Sequence, residues 1–258
     1  MSHVIGLDVS TTATKALLVD AEGSVVATAS SSYEYQVPRP MWSEQDPHLW
    51  WDAAMTAIAK AMRLGDVTGD DVDGIGLTGQ MHGSVLLDEA GEVIRPAILW
   101  NDQRTGEECD EMRSKVGRDR LIRVTGNDAL TGFTAPKLLW VRNKEPDAWR
   151  RVTTVLLPKD YVRFRLTGRR ALDVAGGSGT ILFDLAERTW SAEILEVLDL
   201  DPSIFPPVFE GIETTGEVSL EAARATGLRA GTPVVAGGGD QSANAVGVGA
   251  VEPGIVAL

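Results

Sequence analysis

The sequence has little cysteine, a deficit of positive charge and no long apolar run. Its one cysteine, Cys109, excludes an internal disulfide and a cysteine-rich metal site, which fits a reducing compartment such as the cytoplasm. Lys and Arg total 24 against 37 Asp and Glu, a net charge of −13, so we expect no nucleic-acid partner. No stretch is apolar for long enough to span a membrane, and Met1–His3 leads directly into a strand-like run, so we expect no export signal.

The N-terminal segment predicts three strands and a polar turn. Val4–Asp8, Ala16–Asp20 and Val25–Ala29 are short apolar runs separated by turn residues, a pattern typical of an antiparallel meander. Residues 9–15 form a turn that is rich in hydroxyls and ends in a lysine. With Asp8 beside it, this turn suits phosphate oxygens and a hydrated Mg²⁺. An ordinary turn built of Asp, Ser and Thr explains the same pattern.

A helix from about residue 48 to residue 64 is predicted next. Its apolar residues recur at helical spacing and are expected to face the sheet: Leu49, Ala53, Ala57, Ile58, Ala61 and Met62. A further strand, Val72–Gly79, leads into Gln80, Met81 and His82. Hydrogen-bonding side chains at a strand exit suit a polyhydroxylated ligand, although a lone histidine in a turn is more often incidental.

Near the end of the sequence, an apolar run at Pro233–Val235 leads through glycines 237–239 to Asp240. Small residues follow, so Asp240 is predicted at the N-terminus of a helix, where free backbone amides suit phosphate or oxyanions. Whether Asp240 is a helix N-cap or a catalytic carboxylate stays open, and both can hold. If helix amides also hold this carboxylate, its pKa is expected to fall.

Three other segments bear on the organisation of the chain. Asn101 and Asp102 precede a helix that runs through about Lys115, and we favour a capping role for them. Residues 175–180 resemble a phosphate loop only superficially, because they lack the Lys-Ser/Thr ending, so we interpret them as a substrate-side loop. Ile255–Leu258 has the composition of a new strand, which predicts that the sequence is the front part of a longer protein.

Four motifs occur in one order: the Val4–Asp8 strand with its hydroxyl turn, then Trp42–Pro47, Gly79–Gly83 and Gly237–Asp240. Together they resemble the FGGY carbohydrate kinases, and within that family the branch that acts on D-xylulose most closely. Residues 96–102, 132–138 and 156–161 resemble the same enzymes. The resemblance therefore covers essentially the whole sequence.

The resemblance implies a ribonuclease-H-like α/β domain of the actin and hexokinase superfamily, with a mixed sheet flanked by helices. Residues 1–258 would be the N-terminal sugar-binding lobe, and the C-terminal nucleotide-binding lobe would be absent from this chain. The implied activity is phosphorylation of D-xylulose to D-xylulose 5-phosphate with ATP and Mg²⁺, and we expect the chain to be inactive alone.

The resemblance also implies roles for particular residues. Asp240 would be the catalytic base, and the sugar would be contacted by Gln80, Met81, His82, Asp240 and Gln241. The phosphates of the nucleotide would be bound by Asp8, Thr11, Thr12 and Lys15, with Asp8 also serving the metal through water. Glycerol kinases carry an Arg-Glu pair where Met81 and His82 stand, so this pair favours a ketopentose.

Other functions stay open from the sequence. The chain would also fit a kinase for another ketose or polyol, or a sugar-binding lobe without catalysis, because a single lobe cannot close over its substrate. An actin-like or chaperone-like ATPase uses the same fold, but the Gln80–His82 exit and the Trp42 segment disfavour it. The expected partner is a small sugar, and a homodimer is the assembly to test, since the sequence does not fix an oligomeric state.

Overall fold

The computed structural model describes residues 2–255, so most of the strand predicted at the C-terminus lies outside the described residues. The strands in this part of the chain are β1 (His3–Val9), β2 (Ala13–Asp20), β3 (Val25–Ser32), β4 (Glu44–Gln45), β5 (Val72–Gly79), β6 (Val85–Leu87), β7 (Ala97–Ile98), β8 (Thr154–Leu156), β9 (Leu172–Asp173), β10 (Phe183–Asp184), β11 (Thr189–Trp190), β12 (Val208–Phe209), β13 (Thr214–Glu217), β14 (Pro233–Val235) and β15 (Gly238–Gly239).

The helices are α1 (Pro47–Leu64), α2 (Gly106–Val116), α3 (Arg118–Thr125), α4 (Thr134–Lys144), α5 (Pro146–Trp149), α6 (Pro158–Thr167), α7 (Val174–Ser178), α8 (Ala192–Val197), α9 (Leu220–Thr226) and α10 (Asp240–Gly247), with a 3₁₀ turn at Pro202–Ile204. Among residues 2–255, no helix combines the length and the apolar character that a membrane span requires.

The main sheet is mixed, as predicted. Its strand order is β13-β14-β5-β1-β2-β3, and the short β15 also pairs with β5. β1, β2 and β3 form the predicted antiparallel meander. β1 and β14 both run parallel to β5. The carboxyl ends of β1, β5 and β15 therefore meet at one edge of the sheet.

The two faces of β1 have different environments because side chains alternate along a strand. Ile5, Leu7 and Val9 are buried, whereas Gly6 and Asp8 on the opposite face are partly exposed. α1 packs against β1, β2 and β3 and forms the main core with them. Of the residues predicted to face the sheet from α1, only Leu49 is wrong, since it is 39% exposed. The first turn of α1 instead buries Trp50 and Trp51.

A second apolar cluster lies beyond the main sheet, where α2, α4 and α8 pack together. The predicted capping role of Asn101 and Asp102 is wrong. Thr105 is the N-cap residue of α2, and Asp102 is fully buried in an ion pair with Arg104. Its carboxylate also accepts from the Ser43 backbone N–H at 2.6 Å, which ties the Trp42 segment to this cluster. A buried carboxylate requires such partners. The α2 helix begins four residues after Asp102, and the Asp102 side chain does not cap it.

Candidate functional site

Asp8 and Asp240 come from opposite ends of the chain and meet at the carboxyl edge of the sheet. Asp8 pairs in register with Thr78 of β5, and Thr78 pairs with Gly238 of β15. Asp240 follows β15 directly as the first residue of α10. The two carboxylates therefore flank β5, and their strands are two sheet spacings, or about 10 Å, apart.

A cavity of about 690 Å³ opens on this face of the sheet. Gly6, Gly76 and Gly238 line it from the strands, Ser178 from α7 and Val246 from α10. Asp8 lines the same cavity, as do residues 242 and 243 in the first turn of the helix that Asp240 begins. The prediction that the two acidic residues share one crevice is consistent with this placement.

Two polar atoms in the cavity wall are buried with neither a hydrogen bond nor an ion pair to any residue in the described range 2–255. They are Oδ1 of Asp8 and Oγ1 of Thr78. The other carboxylate oxygen of Asp8 accepts a hydrogen bond from the Ser10 hydroxyl at 2.8 Å. Buried polar atoms normally have partners, so Asp8 and Thr78 are suited to a polar ligand or hydrated ion in the cavity.

The hydroxyl turn is tighter than predicted, because Thr14 and Lys15 already belong to β2. Lys15 pairs directly with Asp8, and residues in such a pair lie on the same face of the sheet. Thr11 is half-buried and accepts a hydrogen bond from the indole N–H of Trp100 at 3.0 Å. Thr12 and Lys15 are exposed. The turn therefore brings Asp8 and Lys15 together, whereas Thr11 is partly engaged by the protein.

Gln80 lies beneath this turn and is 3% exposed. Its side-chain amide donates to the Ser10 carbonyl oxygen at 3.3 Å and to Oε1 of Gln45 at 3.4 Å. Its carbonyl oxygen lies 3.5 Å from the Thr11 hydroxyl. These contacts suit a role in holding the turn better than the predicted contact with a sugar.

Asp240 is the first residue of α10, as predicted, but Gly239 occupies the N-cap position. Oδ1 of Asp240 accepts a hydrogen bond from the Gln241 backbone N–H at 2.8 Å, and Gln241 itself is exposed. The expected fall in the pKa of Asp240 is wrong. Burial raises this pKa, and the charge of Asp8 raises it further, against the lowering effect of the Gln241 amide. A carboxylate with a raised pKa is a stronger base.

His82 is held in an unusual backbone conformation, with φ at +67°. Its Nδ1 atom lies 2.8 Å from the carbonyl oxygen of Gly179. Burial and, to a smaller extent, the charge of Lys137 lower the pKa of His82 to about 4, against the raising effect of the hydrogen bond to Gly179, so the ring is neutral at physiological pH. Since a carbonyl oxygen only accepts, Nδ1 carries the proton and Nε2 is left as a hydrogen-bond acceptor.

Lys137 supports His82 from behind. Its ammonium group is fully buried and donates to the main-chain carbonyl oxygen of His82 at 3.0 Å and to that of Gly132. The Thr134 hydroxyl donates to the same His82 oxygen at 3.3 Å. Burial lowers the pKa of Lys137 to about 7, although nearby Asp102 opposes this effect. The left-handed backbone of His82 is therefore fixed by two donors from α4.

Met81 joins the His82 segment to the Asp240 segment. A Cβ on Gly239 would lie 2.7 Å from Cγ of Met81, and a Cβ on Gly179 would lie 3.1 Å from its Cε. The thioether side chain thus fills the space between these two glycines. Met81 and His82 are in this way brought close to the segment that leads into Asp240.

Two residues of the site were not identified from the sequence. Thr78 lies within an apolar strand, and nothing in the neighbouring sequence distinguishes its hydroxyl from that of an ordinary strand threonine. Lys137 directly precedes an apolar helical run, Leu138–Val141, and a lysine beside such a run is itself a signal of a buried ion or a site. Its partners lie in other segments of the chain, so its role follows only from the fold.

Known proteins are similar to this chain over nearly its whole length. The N-terminal domain of the FGGY family of carbohydrate kinases matches residues 3–247. A protein named xylulose kinase from Escherichia coli K12 is 47% identical over 251 residues, which are 96% of this chain and 50% of that protein. The xylulose kinase of Bacillus subtilis is 40% identical over 98% of this chain and 51% of its own length.

Among solved structures, the xylulose kinase from Rhodospirillum rubrum superimposes with a TM-score of 0.93 at 36% identity, over 98% of this chain and 52% of that one. The chain thus spans about half the length of the relatives that it matches.

Proposed function

The chain belongs to the FGGY family of carbohydrate kinases, and from this we propose that it supplies the sugar site and catalytic base for ATP-dependent phosphorylation of D-xylulose to D-xylulose 5-phosphate. Its mixed sheet with flanking helices is the ribonuclease-H-like fold of the actin and hexokinase superfamily. The observation that carries the proposal is the meeting of Asp8 and Asp240 beside one cavity. Residues 1–258 would be the sugar-binding lobe, and the nucleotide-binding lobe would lie outside them.

Asp240 would accept the proton of the attacking hydroxyl. Phosphoryl transfer asks the protein mainly for in-line positioning and for neutralisation of charge, with a carboxylate near the nucleophile. The raised pKa of Asp240 makes it a stronger base than an exposed aspartate. Because α10 begins at this residue, helix amides are also close to where negative charge develops.

His82 and Met81 would position the sugar. The neutral imidazole offers Nε2 as an acceptor for one sugar hydroxyl, because Nδ1 is committed to Gly179. Met81 packs between the two loops and gives an apolar wall beside Asp240. Gln241 stays a predicted sugar contact, since its exposed side chain is next to the base.

Asp8 fits a hydrated Mg²⁺ because one of its carboxylate oxygens is buried and unpaired within the described residues. Residues 2–255 hold no cluster of three or more metal-binding side chains, and Mg²⁺ is commonly bound by one or two carboxylates together with water and phosphates. When bound, this ion would neutralise charge on the phosphates. Lys15 on the same face, with Thr11 and Thr12 of the turn, would bind phosphate oxygens of ATP.

Titration calorimetry on this chain tests the sugar site. We expect D-xylulose to bind at one site and His82→Ala to weaken binding by about tenfold, the loss of one hydrogen bond. Asp52→Asn, on the exposed face of α1, is the matched surface control and should bind as the unmutated chain does. Absence of any D-xylulose heat from the unmutated chain would contradict the proposal.

Turnover tests the catalytic base. We expect no xylulose-dependent ATP consumption by this chain alone, and turnover when it is joined to the C-terminal half of the Escherichia coli relative. In that chimera Asp240→Asn should lower kcat by at least about a hundredfold with little change in sugar affinity. Retained turnover in this variant would reject Asp240 as the base.

A kinase for another ketose or polyol is the alternative within the family. The same calorimetry with D-ribulose, L-ribulose, glycerol and xylitol decides between them. Tighter binding of any of these than of D-xylulose would move the proposal to that substrate.

A further inference from the structure

A buried ionic cluster on α6 lies beneath the segment that carries Asp240. Lys159 is 2% exposed and Arg163 is fully buried, as are Asp160 and Asp173, so two cations and two anions balance. The Lys159 ammonium forms ion pairs with Asp160 at 2.7 Å and with Asp173 at 2.5 Å. Its third contact is a hydrogen bond to the main-chain carbonyl oxygen of Ala236 at 3.1 Å.

Ala236 lies in an irregularity of the sheet. Val234 pairs with Ile75 and Gly238 pairs with Thr78, so residues 235–237 face only residues 76–77 on β5. The Asp240 strand therefore carries one extra residue, which is a β-bulge, and bulges re-aim the residues that follow them. The backbone N–H of Ala236 donates to Glu213, and its carbonyl oxygen accepts from Lys159.

The same lysine also reaches the His82 side of the site. Asp173, its second ion-pair partner, accepts from the Gly176 backbone N–H at 2.7 Å and so caps α7. The residue after α7, Gly179, accepts the hydrogen bond from His82. The Lys159 ammonium group thus donates hydrogen bonds to Asp160 and Ala236 and forms an ion pair with Asp173. Ala236 and Asp173 belong to segments that lead into the site.

On this geometry we infer that Lys159 is a positioning residue, which fixes the bulge that aims Asp240 and, through Asp173, the helix that holds His82. The inference rests on the proposed function for its consequence in catalysis, but the contact with Ala236 stands apart from it. A buried carbonyl oxygen without a hydrogen bond is energetically costly, so without Lys159 the backbone of residues 236–239 would favour a different conformation.

Two double variants test this role with charge kept balanced. Lys159→Met/Asp160→Asn removes the cation that contacts Ala236. Arg163→Met/Asp160→Asn removes the neighbouring cation on the same helix, whose donors go to Thr215 and Ala171 instead. Each variant removes one buried cation and one buried anion, so a general loss of stability should appear in both.

The measurement is amide hydrogen exchange on the chain as it exists, together with the 13C-detected titration of the Asp240 carboxyl group. In the Lys159 variant we expect Gly238, Gly239 and Gln241 to exchange at least about tenfold faster than in the Arg163 variant, and the Asp240 midpoint to shift. Equal exchange at these amides and equal midpoints in the two variants would overturn the inference.

Two further measurements keep the result unambiguous. If the Lys159 variant does not fold, the unmutated chain is examined for scalar coupling between the Lys159 ammonium nitrogen and the Ala236 carbonyl carbon, whose absence would overturn the inference. D-xylulose binding is measured in parallel. If the unmutated chain fails to bind D-xylulose, the proposed function fails, whereas the exchange comparison still decides whether Lys159 fixes the bulge.

Discussion

Replacement of Lys137 by methionine is expected to flatten the rise of stability at alkaline pH. The ammonium group is fully buried, and burial lowers its pKa from 10.5 to about 7. Between these two values the unfolded chain keeps a proton that the folded chain has released, so stability rises with pH. Below about pH 7 both states are protonated and the full cost of burying the charge is present.

The size of the effect follows from this window. A difference of one bound proton gives a slope of about 1.4 kcal/mol per pH unit. From about pH 7.5 to about pH 9.5, the free energy of unfolding of the unmutated chain should rise by about 2.5 kcal/mol more than that of Lys137→Met. Groups that titrate in both proteins cancel in this difference.

The free energy of unfolding of both proteins is measured by urea titration with tryptophan fluorescence, at several pH values between about 7.5 and about 9.5. Lys60→Met removes an exposed lysine from α1 and is the control, since it should keep the pH dependence of the unmutated chain. Parallel curves for Lys137→Met and the unmutated chain would show that this amine does not titrate at a lowered pKa. The burial of this amine beneath His82 would then be wrong as the cause of a lowered pKa.

Three more predictions concern the cavity edge. Gly237→Ala should lower the free energy of unfolding by about 2 to 3 kcal/mol in urea titrations, because φ is +78° and a Cβ would overlap a carbonyl oxygen of β5. Gly238→Ala meets nothing within 4 Å and should cost less than about 1 kcal/mol, so equal losses would contradict the geometry. Asp8→Asn should lower the pKa of Asp240 in a carboxyl 13C titration, since the Asp8 charge contributes to raising it. An unchanged midpoint would show that the two carboxylates do not interact. The imidazole of His82 should titrate near pH 4 by NMR, whereas a midpoint at its ordinary 6.5 would place the ring in solvent.

Elements whose pattern is local were predictable from the sequence. The meander, the helix that begins at Pro47 and the strand Val72–Gly79 have clear periodicity, and the structure confirms each of them. Asp8 was a candidate because it ends a strand beside a turn that is rich in hydroxyls. His82 follows a strand exit, and its role in sugar binding came from the resemblance to the FGGY kinases.

Features that depend on distant partners were not predictable. Asp102 was expected to cap a helix, but its carboxylate is held by Ser43, whose place beside it follows only from the fold. The pKa of Asp240 was expected to fall, yet burial and the charge of Asp8 act from segments far away in the sequence. Lys159 lies in an amphipathic helix, and its contact with Ala236, in the segment after β14, follows only from the fold.

Because the cavity floor is made of main chain at Gly6, Gly76 and Gly238, its depth is adjustable in steps of one methyl group. An added Cβ meets nothing within 4 Å at Gly6, and only Val235 at 3.8 Å at Gly76. Alanine at Gly6, at Gly76 and then at both positions would raise the floor by one methyl group at a time while leaving the strand pairing and both carboxylates in place. The chain therefore offers a graded series of variants in which the depth of the cavity, and so the size of ligand that it can hold, decreases without any change to the surrounding loops.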